Sequence, residues 1–344
     1  ISDFKVVALA DYFRDRIDHA ATELDVPEKR RHLGLNGYKD LLAGKVDAVA
    51  IESPPCFHPE QAVAAMKAGK HTYVAKPIGV DVPGCLSVLE TAKTITDKSV
   101  LIDFQTRNNE FYREAAKRVH EGAIGAPVLG QCYYHAGRLG KQCEPGTDLA
   151  RLRNWVFDKA LSGDIIVEQN IHVIDVANWL IGAHPEKAVG ACGRKARVDV
   201  GDCNDHFSVT FFYPGDVMVD FSSAQFIKGF SDDLCMRLYG SEGTVDTHYG
   251  GPVSIDGKDR WAGGKTNTIY QDGAVNNIRD FHASIVGNKP INIVEDGVMS
   301  ALTAILGRKA AYEQRTVTWD EMMADTTPYD LGLSLPEDGP EQKC

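Results

Sequence analysis

The sequence predicts an α/β protein in two parts: a parallel sheet with crossover helices, then an α/β domain with a mostly antiparallel, open sheet. Three observations predict it. Strand-like and helix-like segments alternate through the first third of the chain, as parallel βαβ units require. Beyond Gly125, strand-like segments follow one another through short polar turns such as Tyr213-Pro214-Gly215-Asp216 and Gly240-Ser241-Glu242-Gly243. The stretch from Lys45 to Pro77 packs a complete strand, helix and strand into one unit and ends on a lysine.

The elements follow in order. Phe4 to Ala10 reads as a strand ended by Asp11, and Tyr12 to Leu24 as its helix. Asp47 to Glu52 is an apolar, β-branched run stopped by Ser53-Pro54-Pro55, which suits a strand buried on both faces. His58 to Ala68 carries Ala62, Ala65 and Met66 at helical spacing, with Gly69 placed for a left-handed cap. His71 to Ala75 is the next strand and delivers Lys76, followed at once by Pro77, to the carboxyl edge of the sheet, where open α/β folds bind ligands. Val82 to Thr94, Ser99 to Phe104 and Glu110 to Glu121 continue the alternation. The second part reads as strands at Pro127 to His135, Lys187 to Val198, His206 to Tyr213, Val217 to Gln225, Asp233 to Leu238 and Gly243 to Thr247. Helices are expected at Asp148 to Lys159, Ile165 to Leu180, Val275 to Val286 and Glu295 to Glu313. The domains are therefore expected at 1–124 and 125–330, with 331–344, polar and carrying Pro336 and Pro340, as a surface tail.

A chain of 344 residues exceeds one average core, in keeping with two domains. Lys+Arg 37 against Asp+Glu 48 leaves −11, and no arginine-rich stripe interleaved with aromatics appears, so nucleic acid is not an expected partner. No apolar run reaches the roughly 20 residues that span a bilayer, and no signal peptide heads the sequence, so no membrane partner is expected. The chain opens at Ile1 almost directly into a strand, which suggests an upstream segment, and the compartment stays open between cytoplasm and periplasm. The 8 cysteines are scattered, without a C-x-x-C pair or a His/Cys spacing suited to zinc, so no metal is expected. Cys56 sits in a loop that should face a ligand, but no base is paired with it, and a bystander thiol is the better reading.

Asp11, at the end of its strand, suits an acid that binds adenosine ribose hydroxyls and repels a 2′-phosphate, a preference for NAD over NADP. A helix N-cap before Tyr12 would use the same residue equally well. The G-x-G-x-x-G turn that should precede such a strand is absent from the 344 residues; on a dinucleotide-binding fold, Ile1 would fall after the first strand, that turn and the first helix. Glu168, His172 and Asp175 lie at i, i+4 and i+7, so one helix face would carry an imidazole flanked by two acids, a charge-relay spacing. Alone, that pattern is more often a solvated or capping arrangement.

Taken with Lys76, these residues resemble the Gfo/Idh/MocA family of sugar and polyol oxidoreductases. The resemblance rests on Ser53-Pro54-Pro55-Cys56-Phe57-His58, Ala68-Gly69-Lys70-His71, Lys76-Pro77 and the acid-x-x-x-His pair Glu168 and His172, and it runs from the second family strand to the end of the chain. It implies an N-terminal Rossmann domain, a C-terminal α/β domain whose open sheet mediates homo-oligomers (dimer or tetramer), and NAD, with NADP the lesser choice. It implies hydride transfer between a sugar, glycoside or polyol carbinol carbon and nicotinamide, with His172 as base or acid, Lys76 polarising the reacting oxygen and Glu168 beside them. Cofactor contacts are expected from Asp11, Ser53, Pro54, His58, Lys76 and Arg107, and substrate contacts from Lys76, Arg107, Trp155, Asn170 and His172. Trp155 could equally pack an amphipathic helix, and Arg107 could equally be an exposed residue at the start of a helix. Three departures stand out: Ala75 replaces the usual Glu before Lys-Pro, Glu168 the usual Asp, and Asn170 the usual Gly. Two other readings use the same residues: redox-assisted glycoside cleavage without net cofactor turnover, and a non-catalytic scaffold with a degenerate nucleotide site.

Overall fold

The computed structural model describes residues 4–229 and 232–340. β1 (Leu9–Asp11), α1 (Arg14–Leu24), β2 (Arg31–Leu33) and α2 (Gly37–Ala43) form one parallel pair with its helices. β3 (Ala48–Ile51), α3 (His58–Lys67), β4 (His71–Ala75), α4 (Val82–Lys93) and β5 (Val100–Asp103) wind a second parallel sheet, ordered β3-β4-β5. The expected strand from Phe4 shrinks to Leu9–Asp11, the residues that have a ladder partner in β2. α1 starts later than Tyr12 because the Asp11 carboxylate accepts the Phe13 N–H at 2.7 Å and turns the chain first. α3 ends as expected: Gly69 has φ +68°, and the Lys70 N–H closes on the Ala65 carbonyl at 3.1 Å, a Schellman closure.

Beyond α5 (Glu110–His120), β6 (Pro127–Ala136) leads into a run of short helices: α6 (Asp148–Arg153), α7 (Lys159–Ser162), α8 (Ile165–Glu168) and α9 (Ile171–Ile181). The expected helix over 148–159 is broken by a 3-10 turn at Trp155–Phe157, and Asp158 then caps α7 through the Ala160 and Leu161 N–H groups. The expected helix over 165–180 breaks at Gln169 and Asn170.

β7 (Lys187–Gly193), β8 (His206–Tyr213), β9 (Val217–Gln225), β10 (Asp233–Gly240), β11 (Gly243–His248), β12 (Pro252–Gly257), β13 (Trp261–Lys265) and the short β14 (Val317–Thr318) join β6 in a nine-stranded sheet. Its order is β13-β12-β11-β10-β6-β9-β8-β7-β14, antiparallel except where β6 runs parallel to β9. β7 stops at Gly193, short of Val198, because one Asp205 carboxylate oxygen takes the backbone N–H groups of Lys195, Ala196 and Arg197 at 2.7 to 2.8 Å and folds that segment into a loop. Alternation sets the faces. Phe207, Val209, Phe211 and Tyr213 of β8 are buried, while His206 and Ser208 are exposed on the other face. The buried face packs on α5, α9 and α11 (Val294–Glu313). α10 (Ile269–Val286) lies against β5, and residues 291–293 run beside β5, with the Val100 N–H donating to the Ile291 carbonyl at 2.8 Å.

After α12 (Trp319–Met323) the tail is laid on the protein. Leu331, Leu333 and Leu335 join the apolar cluster of Tyr12, Phe13, Leu152 and Leu161, and the Tyr12 hydroxyl donates to the Pro336 carbonyl at 3.1 Å. The period-two leucines of Leu331-Gly332-Leu333-Ser334-Leu335 thus serve as one side of a strap.

Candidate active site

Three neighbouring strand ends deliver charged side chains to one edge: Glu52 after β3, Lys76 after β4 and Asp103 at the end of β5. The Lys76–Pro77 peptide is cis. Burial and the nearby Asp103 carboxylate push the Glu52 carboxyl up to about 7, against the pull of Lys76. Burial also raises Asp103, whose carboxylate accepts a hydrogen bond from the Asn277 amide. Glu52 and Asp103 escaped the sequence reading, although both stand at the strand ends where Lys76 was found.

Facing this edge is the break between α8 and α9. Asp164, at φ +73°, starts α8 by accepting the Ile165 N–H at 2.6 Å. At the break the His172 N–H turns to the Gln169 carbonyl at 3.4 Å, so the Glu168 carbonyl is left to Lys76. The Lys76 ammonium donates to that carbonyl at 2.5 Å and to the Glu168 carboxylate at 2.7 Å. The pair is nearly buried, with side-chain exposures of 16% and 10%. The acid missing at Ala75 is therefore supplied to the lysine from the end of α8.

His172 lies beside this pair, 9% exposed, its ring edge-on to Phe104 and 5.3 Å from the Tyr249 ring. Burial, with help from the Lys76 charge, holds its pKa well below the usual imidazole range, so it is neutral at pH 7. Among the described residues, its Nδ1 and the Asn170 Oδ1 are buried polar atoms without a hydrogen-bond partner. Tyr249 stacks edge-on with Tyr270 at 4.9 Å, and burial with the nearby Glu168 carboxylate raises the Tyr134 phenol, so three tyrosines flank the site. No periodicity in the sequence marked them, because they come from β6, the turn after β11 and α10.

Other expected residues fall elsewhere. Asp175 does not complete a relay with His172. It is fully buried, accepts a two-pronged bond from Arg107 at 2.9 Å and a Ser300 hydroxyl bond at 2.7 Å. Arg107 is correspondingly drawn into pairs with Asp175 and Asp296 and lies over the Trp179 ring, rather than lining a substrate mouth. His58 acts as a latch: its ring nitrogens sit 2.6 Å from the Ser53 carbonyl and 2.7 Å from the Pro77 carbonyl, tying the Ser53-Pro54 turn to the Lys76 turn. The Ser53 hydroxyl donates to Gln61 at 2.7 Å. Trp155 packs in the apolar cluster under the strap. Cys56 packs there too, and burial pushes its thiol up, which suits a bystander. Asp11 keeps one oxygen for the Phe13 N–H, and burial raises its pKa.

A dinucleotide fits these residues at its nicotinamide end, where buried polar atoms of Asn170 and His172 have no partner among the described residues beside a strand-end edge. Asp11 at its strand end stands where a ribose acid is wanted. No glycine-turn phosphate cradle is present in the 344 residues.

Comparison with known proteins gives a consistent result. Residues 1–102 match the model described as "Oxidoreductase family, NAD-binding Rossmann fold", and residues 112–246 match "GFO/IDH/MocA C-terminal domain". The chain is 24% identical to an inositol 2-dehydrogenase/D-chiro-inositol 3-dehydrogenase of Halalkalibacterium halodurans, over 64% of this chain and 57% of that protein. It is 22% identical to a myo-inositol 2-dehydrogenase of Thermotoga maritima, over 94% of this chain and 93% of that one. The alignments with several other curated inositol 2-dehydrogenases span about half the length of those proteins. Among solved structures, levoglucosan dehydrogenase in complex with NADH and levoglucosan superposes with a TM-score of 0.73 at 17% identity, covering 91% of this chain and 89% of that one. With both halves of the fold matched in their proper order, the chain belongs to the Gfo/Idh/MocA oxidoreductase family.

Proposed function

We propose that this protein is an NAD-dependent oxidoreductase acting on a CH–OH group of a sugar, glycoside or polyol, with a ring polyol of the inositol kind as the first substrate class to test. The observation that carries the reading is the junction of Lys76, clamped by Glu168, with a neutral His172 whose buried Nδ1 has no partner among the described residues, at the carboxyl edge of the parallel strands. Bound NAD would supply the hydride acceptor. His172, kept in its base form, takes the hydroxyl proton of the substrate. Lys76 donates to the same oxygen and stabilises the negative charge that develops there, and Glu168 holds the ammonium in place against thermal wandering. The tyrosines Tyr134, Tyr249 and Tyr270 give a ring polyol flat apolar surfaces with polar tips. Asp11 would favour NAD over NADP by repelling a 2′-phosphate. The uncovered face of the nine-stranded sheet suits association into a dimer or tetramer.

The test begins with the purified protein: denaturation, identification of any released nucleotide by mass spectrometry, and titration with NAD and NADP. Recovery or binding of NAD, followed by NADH formation on a panel of inositols and aldoses, is expected. Release of an aglycone without net NADH would point instead to redox-assisted cleavage. Unchanged turnover in His172→Ala on the responding substrate would remove the assigned base.

A further inference from the structure

The outer face of the C-terminal sheet carries a cluster that the proposed reaction does not use. β10 and β11 pair with Cys235 opposite His248 and Arg237 opposite Asp246, so all four side chains project from one face in register. The Cys235 Sγ lies 3.4 Å from Asp246 Oδ1, and His248 Nε2 lies 3.3 Å from the same oxygen. One ligand atom from each of Cys235, Asp246 and His248 therefore falls within 4.8 Å of the others. From these atoms we infer that Cys235, Asp246 and His248 form a binding site for a zinc-class divalent ion on the outer face of the C-terminal sheet.

Five features support it. Two ligands of a tetrahedral ion with bonds of about 2.0 to 2.3 Å stand about 3.3 to 3.6 Å apart, which is the separation of both measured pairs. The donor set of thiolate, imidazole and carboxylate is the mixed set that zinc accepts and that magnesium and calcium do not favour. The outer contacts are of the kind that orient ligands. His248 Nδ1 lies 3.2 Å from Asp233 Oδ1, leaving Nε2 aimed at the cluster, and Arg237 Nη2 donates to Asp246 Oδ2 at 3.1 Å. Charge also closes: Asp233, Asp246 and a Cys235 thiolate balance a dication and Arg237. The ladder fixes this geometry before any ion arrives, so little ordering entropy opposes binding. Sequence spacing could not reveal the site, because Cys235 meets the other two ligands only through the β10–β11 register.

The competing description is a closed ion-pair network, in which Arg237 Nε, donating to Asp246 Oδ1 at 3.1 Å, and a protonated His248 supply the positive charge the acids receive. Binding distinguishes the two. The full chain, stripped with chelator, is titrated with zinc by calorimetry and with cobalt by absorption spectroscopy, with magnesium as control. The expected result is one zinc per chain, no magnesium uptake, and a cobalt complex showing sulfur-to-metal charge transfer. That band disappears in Cys235→Ser, His248→Ala loses binding, and Asp233→Asn weakens it about tenfold. Zinc should raise the melting temperature of the parent protein and not that of Cys235→Ser, which reports on the site even where a variant is less stable. No zinc uptake, or uptake and charge transfer retained in Cys235→Ser, overturns the inference.

Discussion

At the scale of single residues, the chemistry rests on which acid each cation finds. Glu168 and Asp175 both looked like partners of His172 from their spacing, yet Glu168 pairs with Lys76 and Asp175 with Arg107. The lysine, the histidine and the first acid were legible because each is a distinctive residue type at a strand or helix end. Their pairing was not, since it depends on a helix break at Gln169 and Asn170 that apolar periodicity does not show. Lys76→Met should lower kcat by about 10²–10³-fold by removing the donor to the developing charge. It should also raise the pKa of His172, because the cation that now lowers it is gone, and imidazole NMR would read that shift. An unmoved His172 resonance would dissociate the two residues. His172 also ties stability to pH. Its folded-state pKa lies below the unfolded value near 6.5, so the unfolded chain gains the proton first as pH falls through that value, and the folded state loses stability there. His58, lowered by burial in the same way, contributes with the same sign. Urea melts between neutral and mildly acidic pH should therefore show a smaller acid loss in His172→Phe than in the parent. Equal slopes would contradict a buried, neutral His172.

At the scale of elements, the strap shows how a polar-looking tail becomes structural. The stretch after Asp330 reads as a loop because of its prolines and acids, but every second residue from Leu331 to Leu335 is a leucine that reaches the Tyr12 and Leu152 cluster. Tertiary burial, which no local propensity encodes, decides the outcome. Gly34 shows how closely the strap approaches: at φ +92°, a Cβ there would lie 2.2 Å from the Glu337 carbonyl oxygen. Gly34→Ala should therefore combine left-handed strain with a backbone collision and cost roughly 1 to 3 kcal/mol. Replacing Leu331, Leu333 and Leu335 by Ser should cost a similar amount, about 1 kcal/mol for each half-buried leucine. Limited proteolysis of the tail should accelerate in both variants. A Gly34→Ala protein with the parental melting temperature and parental resistance would mean that the strap is not seated as described.

At the scale of the whole molecule, the alternation of elements announced two kinds of sheet, but their strand orders were not legible. A hairpin reading cannot foresee that β10 pairs beside β6, or that β6 runs parallel to β9, because those neighbours are set by burial over long separations. Nor can it foresee that the chain returns after the large sheet to lay α11 between the two halves. That return supplies the join on which the proposed active site depends. Arg308 of α11, 4% exposed, donates from one Nη to the Val80 carbonyl and to the Gly163 carbonyl, each at 2.9 Å, with the Tyr329 ring 4.6 Å away. Val80 follows the Lys76 turn, and Gly163 precedes the helix that carries Glu168, so one guanidinium holds together the two segments whose charged side chains meet in the cleft. Arg308→Met keeps the apolar stem but leaves both carbonyls unpaired in the interior, at about 1 to 3 kcal/mol each. The expected outcome is an unfolding free energy lowered by about 2 kcal/mol or more, read as a lower urea midpoint with an unchanged slope. It should come with a fall in kcat larger than the change in substrate KM, because the Lys76–Glu168 alignment loosens before substrate contacts do. Loss of stability with parental kcat would show that the join supports the fold without positioning the lysine, and parental stability would show that water replaces the guanidinium at no cost.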